Sequence, residues 1–394
     1  MSNESADVVV IGGGAIGSSI AWNLTRRGAG NVVLLEKAGI ASGGTGWSSA
    51  IIRQHYTHEV LARMALESLH IFQNFADIVG STAEFHNTGF LVLVKPEDAD
   101  PLRANVAMHQ RVGIESVVLS AAEVRELEPR IETGDIVAAA WEPQSGYADP
   151  VATTTGFADA ARRGGASIRT GVAVEEILTD SAGVTGVRSD LGVIETRTVV
   201  VAAGYRAKML VEPLGLDLPL TPVRHDIGIV ARTSDFGPRP PIISDRINGS
   251  YFRPEGAELT MIGTTAPFDG HIDENVEATR EPFDDDTEKL ITRFWNRFPS
   301  QENATLRKGY TGIYDCSPDL QPLLGPVGDI PGLHLATGFS GHGLKLSPVV
   351  GDLIAEQIVD GRTSLVDIDF FSPARFAAGR QIASTRTYSV GTLG

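Results

Sequence analysis

The sequence contains a single cysteine, Cys316, among 394 residues. One thiol can form neither an internal disulfide nor a multi-thiolate metal site, and we predict no metal. No stretch approaches the roughly 20 consecutive apolar residues that span a bilayer, and residues 1–7 lack the basic start of a secretory signal peptide. We therefore expect a cytoplasmic protein that does not bind a membrane.

Basic residues are also scarce: 33 Lys and Arg stand against 49 Asp and Glu, a net charge of −16. Nucleic-acid binding depends on Lys and Arg that neutralise phosphates, so a nucleic-acid partner is disfavoured and a small-molecule ligand is favoured. The length permits two or three lobes around a large core.

The first 36 residues have the pattern of a βαβ unit. Asp7–Ile11 is a short apolar run typical of a parallel strand buried on both faces. A helix is predicted for Ala15–Arg27 and a second strand for Asn31–Leu35. Between the first strand and the helix lies Gly12-Gly-Gly-Ala-Ile-Gly17, the dinucleotide fingerprint. Its glycines permit the tight turn, the approach of the backbone to a pyrophosphate at the helix N-terminus, and close helix–strand packing.

Glu36 follows the second strand, where a carboxylate can accept both hydroxyls of an adenosine ribose and would repel a 2′-phosphate. NADP is thus disfavoured, and FAD and NAD remain. A second glycine-rich turn, Gly338 to Lys345, lies between a predicted strand, Leu333–Thr337, and a predicted helix, Ser347–Val359. This turn favours FAD, because the helix N-terminus can stabilise negative charge on a reduced flavin. A third turn, Ala41–Gly46, is built of small residues that can lie against a dinucleotide.

Further elements are predicted from hydrophobic periodicity and turn residues. They are a helix over Thr57–Val79, a strand over Phe85–Val94, a helix over Pro150–Arg163, a buried strand in Thr198–Gly204, antiparallel strands over Leu220–Thr265 and an acidic helix before Phe294.

These motifs, together with Ile51-Ile-Arg53, Tyr56 and Tyr251-Phe-Arg-Pro254, resemble the D-amino-acid oxidase-like FAD-dependent flavoproteins. The nearest branch comprises sarcosine oxidases, sarcosine oxidase beta subunits, dimethylglycine dehydrogenases and glycine oxidases, and the resemblance runs from Asp7 to about Gly361. It implies an α/β fold with a Rossmann-like FAD-binding domain and an antiparallel-sheet substrate-binding domain. The expected ranges are 1–80, 147–218 and 305–375 for the FAD-binding domain, and 81–146 and 219–304 for the substrate-binding domain.

The resemblance also implies oxidation of the C–N bond of an amino acid by hydride transfer to flavin, followed by hydrolysis of the imine. Arg53 and Lys345 match the cations that hold the substrate carboxylate, and Tyr251 matches an aromatic residue of the active site. A guanidinium suits this role because it can hold a carboxylate through two charge-assisted hydrogen bonds. His225 is a weaker candidate for contact with the substrate.

The glycine turns and the resemblance together define a set of cofactor-binding residues. These are Gly12, Gly14, Ala15, Ile16, Gly17, Glu36, Lys37, Gly43, Gly44, Thr45, Val172, Gly204, Gly338, Gly341, His342, Gly343, Leu344 and Lys345. His342, between two glycines, is expected to shape the flavin pocket rather than to act as a base.

Two departures from the resembling proteins carry predictions. Gly312 stands where monomeric sarcosine oxidases attach flavin through cysteine, and Thr45 to Trp47 stand where others use histidine, so we predict non-covalent FAD. Met261 replaces a lysine thought to activate oxygen. No cation is then expected beside the flavin on that side, which favours a dehydrogenase. Glycine oxidases manage without that lysine, so the electron acceptor stays open.

The leading function is oxidation of a secondary or N-methylated amino acid. The alternatives are a primary amino-acid (glycine or D-amino-acid) oxidase or deaminase, and a catalytic subunit that passes electrons to a partner chain. The sequence also leaves open whether the chain forms a homo-oligomer. A purely structural role is disfavoured, because Arg53 and Lys345 stand where catalysis needs them.

Overall fold

A computed structural model describes residues 4–265, 284–383 and 387–389. One layer of the fold is a six-stranded sheet, parallel except at one edge, that combines strands from both ends of the chain. Its strands, in spatial order, are Ser167–Thr170, Val32–Glu36, Val8–Ile11, Val199–Val201, Leu333–Thr337 and Leu323–Pro326. The strand predicted within Thr198–Gly204 therefore does return to the sheet begun by Val8–Ile11, with Val199 opposite Val9.

The first helix, Ala15–Arg26, packs against the helices Gly343–Asp360 and Pro150–Arg163 on one face of this sheet. The approach is close: a Cβ added to Gly351 would lie 2.2 Å from Oγ of Ser19. The N- and C-terminal glycine turns are thereby held side by side, although more than 300 residues separate them in the sequence.

An eight-stranded sheet forms a second layer and is mostly antiparallel. Its strands, in spatial order, are Thr305–Cys316, Thr221–Ala231, Leu259–Thr264, Ser250–Glu255, Ile242–Asp245, Phe90–Val94, Ala138–Glu142 and Val117–Leu119. The antiparallel strands predicted over Leu220–Thr265 are confirmed, except that Ile242–Asp245 pairs in parallel with Phe90–Val94. The division into two domains at residue 305 stays a prediction, and the strand Thr305–Cys316 itself pairs with Thr221–Ala231.

Two smaller sheets complete the strands. One contains Glu4–Ser5, Gly192–Glu195, Gly183–Ser189 and Val174–Asp180; the other contains Ile51–Ile52, Gly146–Tyr147 and His86–Asn87. The remaining helices are Glu59–Gln73, Phe75–Val79, Ala99–Val112, Ala121–Leu127, Ala207–Val211 and Asp284–Arg297. In the described parts of the chain, no helix is both long and apolar enough to cross a membrane.

Three predicted elements are wrong in their extent. The helix over Thr57–Val79 is interrupted at Asn74, whose side-chain amide donates to the carbonyl of His70 at 2.8 Å and so competes with the helix backbone. The strand over Phe85–Val94 is divided at Gly89, which has φ +73°. The ring of Trp141 leaves no room for a Cβ at Gly89.

The third is the C-terminal helix, which begins at Gly343 rather than Ser347. Pro348 suggests a helix start because proline is favoured in the first turn, yet here it lies inside the helix. The consequence for the site is that Lys345 belongs to the first helical turn.

Candidate active site

A cavity of about 640 Å³ opens between the carboxyl edge of the six-stranded sheet and the strand Thr305–Cys316. This volume is in the range of small-molecule and cofactor sites. Most of the predicted cofactor residues line it: Gly12, Gly14, Ala15, Ile16, Glu36, Lys37, Gly43, Gly44, Thr45, Val172, Gly204, Gly341, Gly343, Leu344 and Lys345.

At one end of the cavity the wall is mostly backbone. Gly12 has φ +114°, and a Cβ there would lie 2.4 Å from the carbonyl oxygen of Ala202. Gly14 is the N-cap of the helix Ala15–Arg26 and offers no side chain to its first turn. Backbone N–H groups at such a helix end attract an anion. Thr45 closes over the turn by accepting a hydrogen bond from the Ala15 N–H at 3.1 Å.

Glu36 forms part of this same end. Its carboxylate accepts hydrogen bonds from the N–H of Gly13 at 2.7 Å and of Ala38 at 2.8 Å. The sequence predicts that Glu36 contacts a ribose, and in the structure its carboxylate also holds the glycine turn against the end of the strand. Both roles are compatible, because a carboxylate has about four lone-pair sites.

Three predicted cofactor residues lie behind the cavity wall rather than on it. Gly17 packs against the first turn, where a Cβ would lie 2.0 Å from the carbonyl oxygen of Gly12. Gly338 has φ +73° and donates its N–H to the carboxylate of Asp315 at 2.7 Å. His342 is buried against the edge of the Tyr56 ring, with centroids 5.5 Å apart. These residues shape the turns that face the cavity.

Two buried basic side chains lie near the opposite end of the cavity: Lys345 on its wall, and Arg53 close enough to Lys345 to act on its pKa but outside the lining. Lys345 lines the cavity and donates to the carbonyl of Gly341 at 3.3 Å. Burial, and then the charge of Arg53, hold the pKa of Lys345 well below its usual value. Arg53 is 6 % exposed, donates to the carbonyl of His55 and stacks over Tyr56, with Cζ 4.4 Å from the ring centroid.

Within the described residues, neither basic side chain forms a direct ion pair with a carboxylate. Among the ion pairs of residues 4–265, 284–383 and 387–389, none includes Arg53 or Lys345. Burial lowers the pKa of Arg53 as well. The buried carboxylate of Glu142 acts on Arg53 through its charge but forms no direct ion pair with it. Two buried basic side chains without a direct ion pair are costly, and an anionic ligand would offset that cost.

Aromatic side chains form the wall beside these cations. Tyr314 lines the cavity and stacks on His225 with centroids 4.6 Å apart. His225 Nε2 lies 3.0 Å from the hydroxyl of Tyr251. Burial lowers the pKa of His225 to about 4 and raises the pKa of Tyr251 to about 12. Both side chains are therefore neutral near pH 7. They meet across the strand Leu259–Thr264, which lies between their own strands in the sheet.

Tyr314 was missed by the sequence analysis. Its ring packs over Gly341, where a Cβ would lie 2.8 Å from Cε2 of Tyr314. The sequence did contain a signal for Tyr314, because side chains two residues apart on a strand point to the same face of the sheet. Tyr314 therefore shares the face of Gly312, the position already singled out.

A second feature missed from the sequence is a buried cluster behind Arg53. His55 Nδ1, His109 Nδ1 and Glu142 Oε1 are buried without a hydrogen-bond partner, and the donor atoms of the three residues lie within 4.8 Å of one another. Such a set can ligate a metal, although none is predicted. Burial, then the charges of Arg53 and Arg246, hold the pKa of His55 well below its usual value. The same two charges oppose a divalent cation.

The expectation that no cation stands beside the flavin near Met261 stays a prediction, since Met261 does not line the cavity. Nη2 of Arg253 lies 3.7 Å from the sulfur of Met261, and Arg253 also pairs with Glu255. A buried cation thus stands beside Met261 although residue 261 is not a lysine. The choice of electron acceptor does not follow from this position.

A family model described as FAD dependent oxidoreductase matches residues 7–357. The chain belongs to this family. The predicted family, the α/β fold class and the FAD cofactor are thereby confirmed, and the protein is an FAD-dependent oxidoreductase.

Individual relatives add detail. Dimethylglycine dehydrogenase of Mus musculus is 24% identical over 93% of this chain, and sarcosine dehydrogenase of the same organism is 28% identical over 91%. The chain spans only 44% and 40% of their lengths.

Two solved structures resemble almost the whole chain. The L-proline dehydrogenase of P. horikoshii has a TM-score of 0.88 at 27% identity, over 96% of this chain and 100% of that one. The glycine oxidase of Geobacillus kaustophilus has a TM-score of 0.82 at 25% identity, over 95% and 99%.

The residues of the cavity fit FAD. The bare glycine turn and helix N-terminus suit the pyrophosphate, and the Glu36 carboxylate suits the ribose. At the other end, the first turn of the helix Gly343–Asp360 and Lys345 supply positive charge for a reduced flavin.

Proposed function

We propose that this protein oxidises the C–N bond of a secondary or N-methylated amino acid. The observation that carries the proposal is the pair of buried basic side chains, Arg53 and Lys345, which no ion pair of the described residues includes and which lie beside neutral aromatic side chains. Such a pair favours a ligand with one carboxylate, and the wall favours an uncharged amine.

Bound FAD would accept the hydride that leaves the substrate carbon. The side chains of the protein bind and orient the substrate. Arg53 and Lys345 hold the carboxylate and fix which face of the α-carbon is presented. Tyr314 and Tyr251 exclude water around the amine, and His225, neutral near pH 7, orients the Tyr251 hydroxyl. The imine product leaves the site and hydrolyses in water.

The names of the relatives support a secondary or tertiary amine: dimethylglycine, sarcosine and L-proline each carry one. The glycine oxidase likeness keeps a primary amine as the second candidate.

Anaerobic mixing of the purified holoenzyme with sarcosine, dimethylglycine, proline, glycine and D-amino acids tests the proposal. Bleaching of the flavin by an N-substituted amino acid, with formaldehyde or another carbonyl product from an N-alkyl group, is the expected result. Bleaching by glycine or D-amino acids alone, with release of ammonia, would shift the assignment to the second candidate. A flavin that no amine bleaches would refute both.

We also propose that FAD is bound non-covalently. The position of the attaching cysteine is occupied by Gly312, where a Cβ would already lie 3.3 Å from Cβ of Trp47. Acid precipitation should release the yellow colour into the supernatant, and a yellow pellet would contradict non-covalent binding.

The electron acceptor needs a separate experiment. Turnover with an artificial acceptor but little peroxide in air would support transfer of electrons to a partner chain.

A further inference from the structure

The C-terminal segment Thr387–Ser389 reaches the neighbourhood of Arg53. Ser389 donates to the carboxylate of Asp98 through its N–H at 2.8 Å and its hydroxyl at 2.7 Å. Tyr388, 9 % exposed, stacks over Arg246, with Cζ 4.6 Å from its ring centroid. The segment is thus anchored at two points on buried polar residues.

The hydroxyl of Tyr388 lies 2.6 Å from Nε2 of His55, and the two rings stack with centroids 5.9 Å apart. Asn105 also hydrogen-bonds to this hydroxyl. An amide N–H can only donate, so the phenol oxygen accepts from Asn105 and its own proton is directed to His55. The remaining proton of a neutral His55 is then on Nδ1, which faces Oε1 of Glu142 at 3.4 Å.

His55 connects this chain of contacts to the substrate side. Its carbonyl accepts a hydrogen bond from Arg53, and Arg53 stacks over the next residue, Tyr56. Glu142 holds the same stretch of backbone by accepting the N–H of Gln54 at 3.0 Å. The position of the guanidinium therefore depends on the position of His55, which Tyr388 and Glu142 hold from opposite sides.

We propose that Tyr388 is a positioning residue for the carboxylate site: it holds His55 against Glu142, and thereby Arg53, so that docking of the C-terminal segment and binding of a carboxylate favour one another. The proposal rests on the proposed function, in which Arg53 binds the substrate carboxylate. Such coupling is reciprocal, because two events that favour one conformation each raise the affinity of the other.

The same atoms argue against a metal as the organising element. A metal on His55 Nδ1 would need both that nitrogen and the Glu142 oxygen as ligands. It would lie close to Arg53 and Arg246, whose charges already disfavour a proton on His55. The proton on Nδ1 of a neutral His55, which faces Glu142 at 3.4 Å, adds no net charge to this buried region.

The test uses the full-length holoenzyme and acetate, a carboxylate without an amine, titrated against the flavin absorbance. Tyr388→Phe keeps the ring and removes the hydroxyl. It should raise the dissociation constant of acetate, and the KM of whichever amino acid bleaches the flavin, by about fivefold to tenfold. The kcat and the FAD content should change little. Tyr147→Phe, at a buried tyrosine outside the cavity lining and the cluster, is the matched control and should leave the acetate affinity unchanged.

A second measurement needs no substitution. In the wild type, acetate should slow amide hydrogen exchange in the peptide that contains Ser389, whose N–H is bound to Asp98. If acetate binds to the wild type but Tyr388→Phe has the same affinity, or the exchange does not change, the inference is wrong. Stoichiometric metal that is lost on His55→Gln would also overturn it. If acetate does not bind the wild type and no amino acid bleaches the flavin, the proposed function itself fails.

Discussion

The two ends of the cavity differ in the groups that form their walls. At the end formed by Gly12, Gly14 and Glu36, the wall is backbone, and one carboxylate holds the turn in place. At the end formed by Lys345 and Tyr314, with Arg53 nearby, the wall is made of buried side chains, some of them basic. The first end depends on close approach of the backbone, whereas the second depends on charges kept out of water.

This difference predicts different responses to mutation. A substitution at the glycine end should lower both the stability and the FAD content, since the same contacts stabilise the fold and bind the cofactor. A substitution at the charged end should weaken substrate binding without lowering the stability. A buried cation stabilises the bound ligand but destabilises the folded protein.

Substitution of Arg53 should have the largest effect. Two charge-assisted hydrogen bonds to a carboxylate contribute about 3 to 6 kcal/mol together, so Arg53→Met should lower kcat/KM by about 10²- to 10⁴-fold. Arg53→Lys should recover part of this loss, because it keeps the charge but not the paired geometry. Steady-state kinetics give the effect. Thermal unfolding should show no loss of stability in Arg53→Met, and a large loss would break the proposed contrast.

Gly17→Ala should damage the fold instead. Its Cβ would lie 2.0 Å from the carbonyl oxygen of Gly12, and neither backbone segment can move without disturbing the turn. We expect a loss of about 3 kcal/mol in the free energy of unfolding, with a lower FAD content. Denaturant titration measures it, and Gly39→Ala is the control because a Cβ there meets nothing within 4 Å. Equal stability of the two variants would contradict the steric role of Gly17.

The buried histidines make the charged end sensitive to acid. Burial lowers the pKa of both His109 and His225 to about 4 in the folded protein, against 6.5 when unfolded. Below pH 6.5 the unfolded chain therefore binds more protons than the folded one, and stability falls as the pH decreases toward 4. Between pH 6.5 and 5 each histidine should cost about 2 kcal/mol.

Denaturant titrations from pH 8 to pH 5 measure this slope. His225→Gln should make it shallower, whereas His70→Gln, at an exposed position, should not. A slope that is unchanged in His225→Gln would show that His225 is protonated, or accessible to water, in the folded protein.

The same contrast explains what the sequence could predict. The glycine end lies in one continuous stretch, Val8 to Glu36, where the order of strand, turn, helix and strand is itself the signal. The cluster of His55, His109 and Glu142 is assembled from three distant segments with no characteristic spacing. Arg53, Lys345 and Tyr251 were found only because they match a family pattern, and Tyr314 was not found because its role depends on packing over Gly341.

Glu36→Gln should have the smallest effect of this series. Each carboxylate oxygen accepts one backbone N–H, from Gly13 or Ala38. A glutamine keeps one acceptor and turns an NH₂ group toward the other donor, which should cost about 1 kcal/mol and reduce FAD affinity by about fivefold. Titration of the apoprotein with FAD, followed by flavin fluorescence, measures the affinity, and denaturation measures the stability. If the glycine end combines folding and cofactor binding, both must fall together; a loss of FAD affinity at full stability would mean that Glu36 acts on the ribose alone.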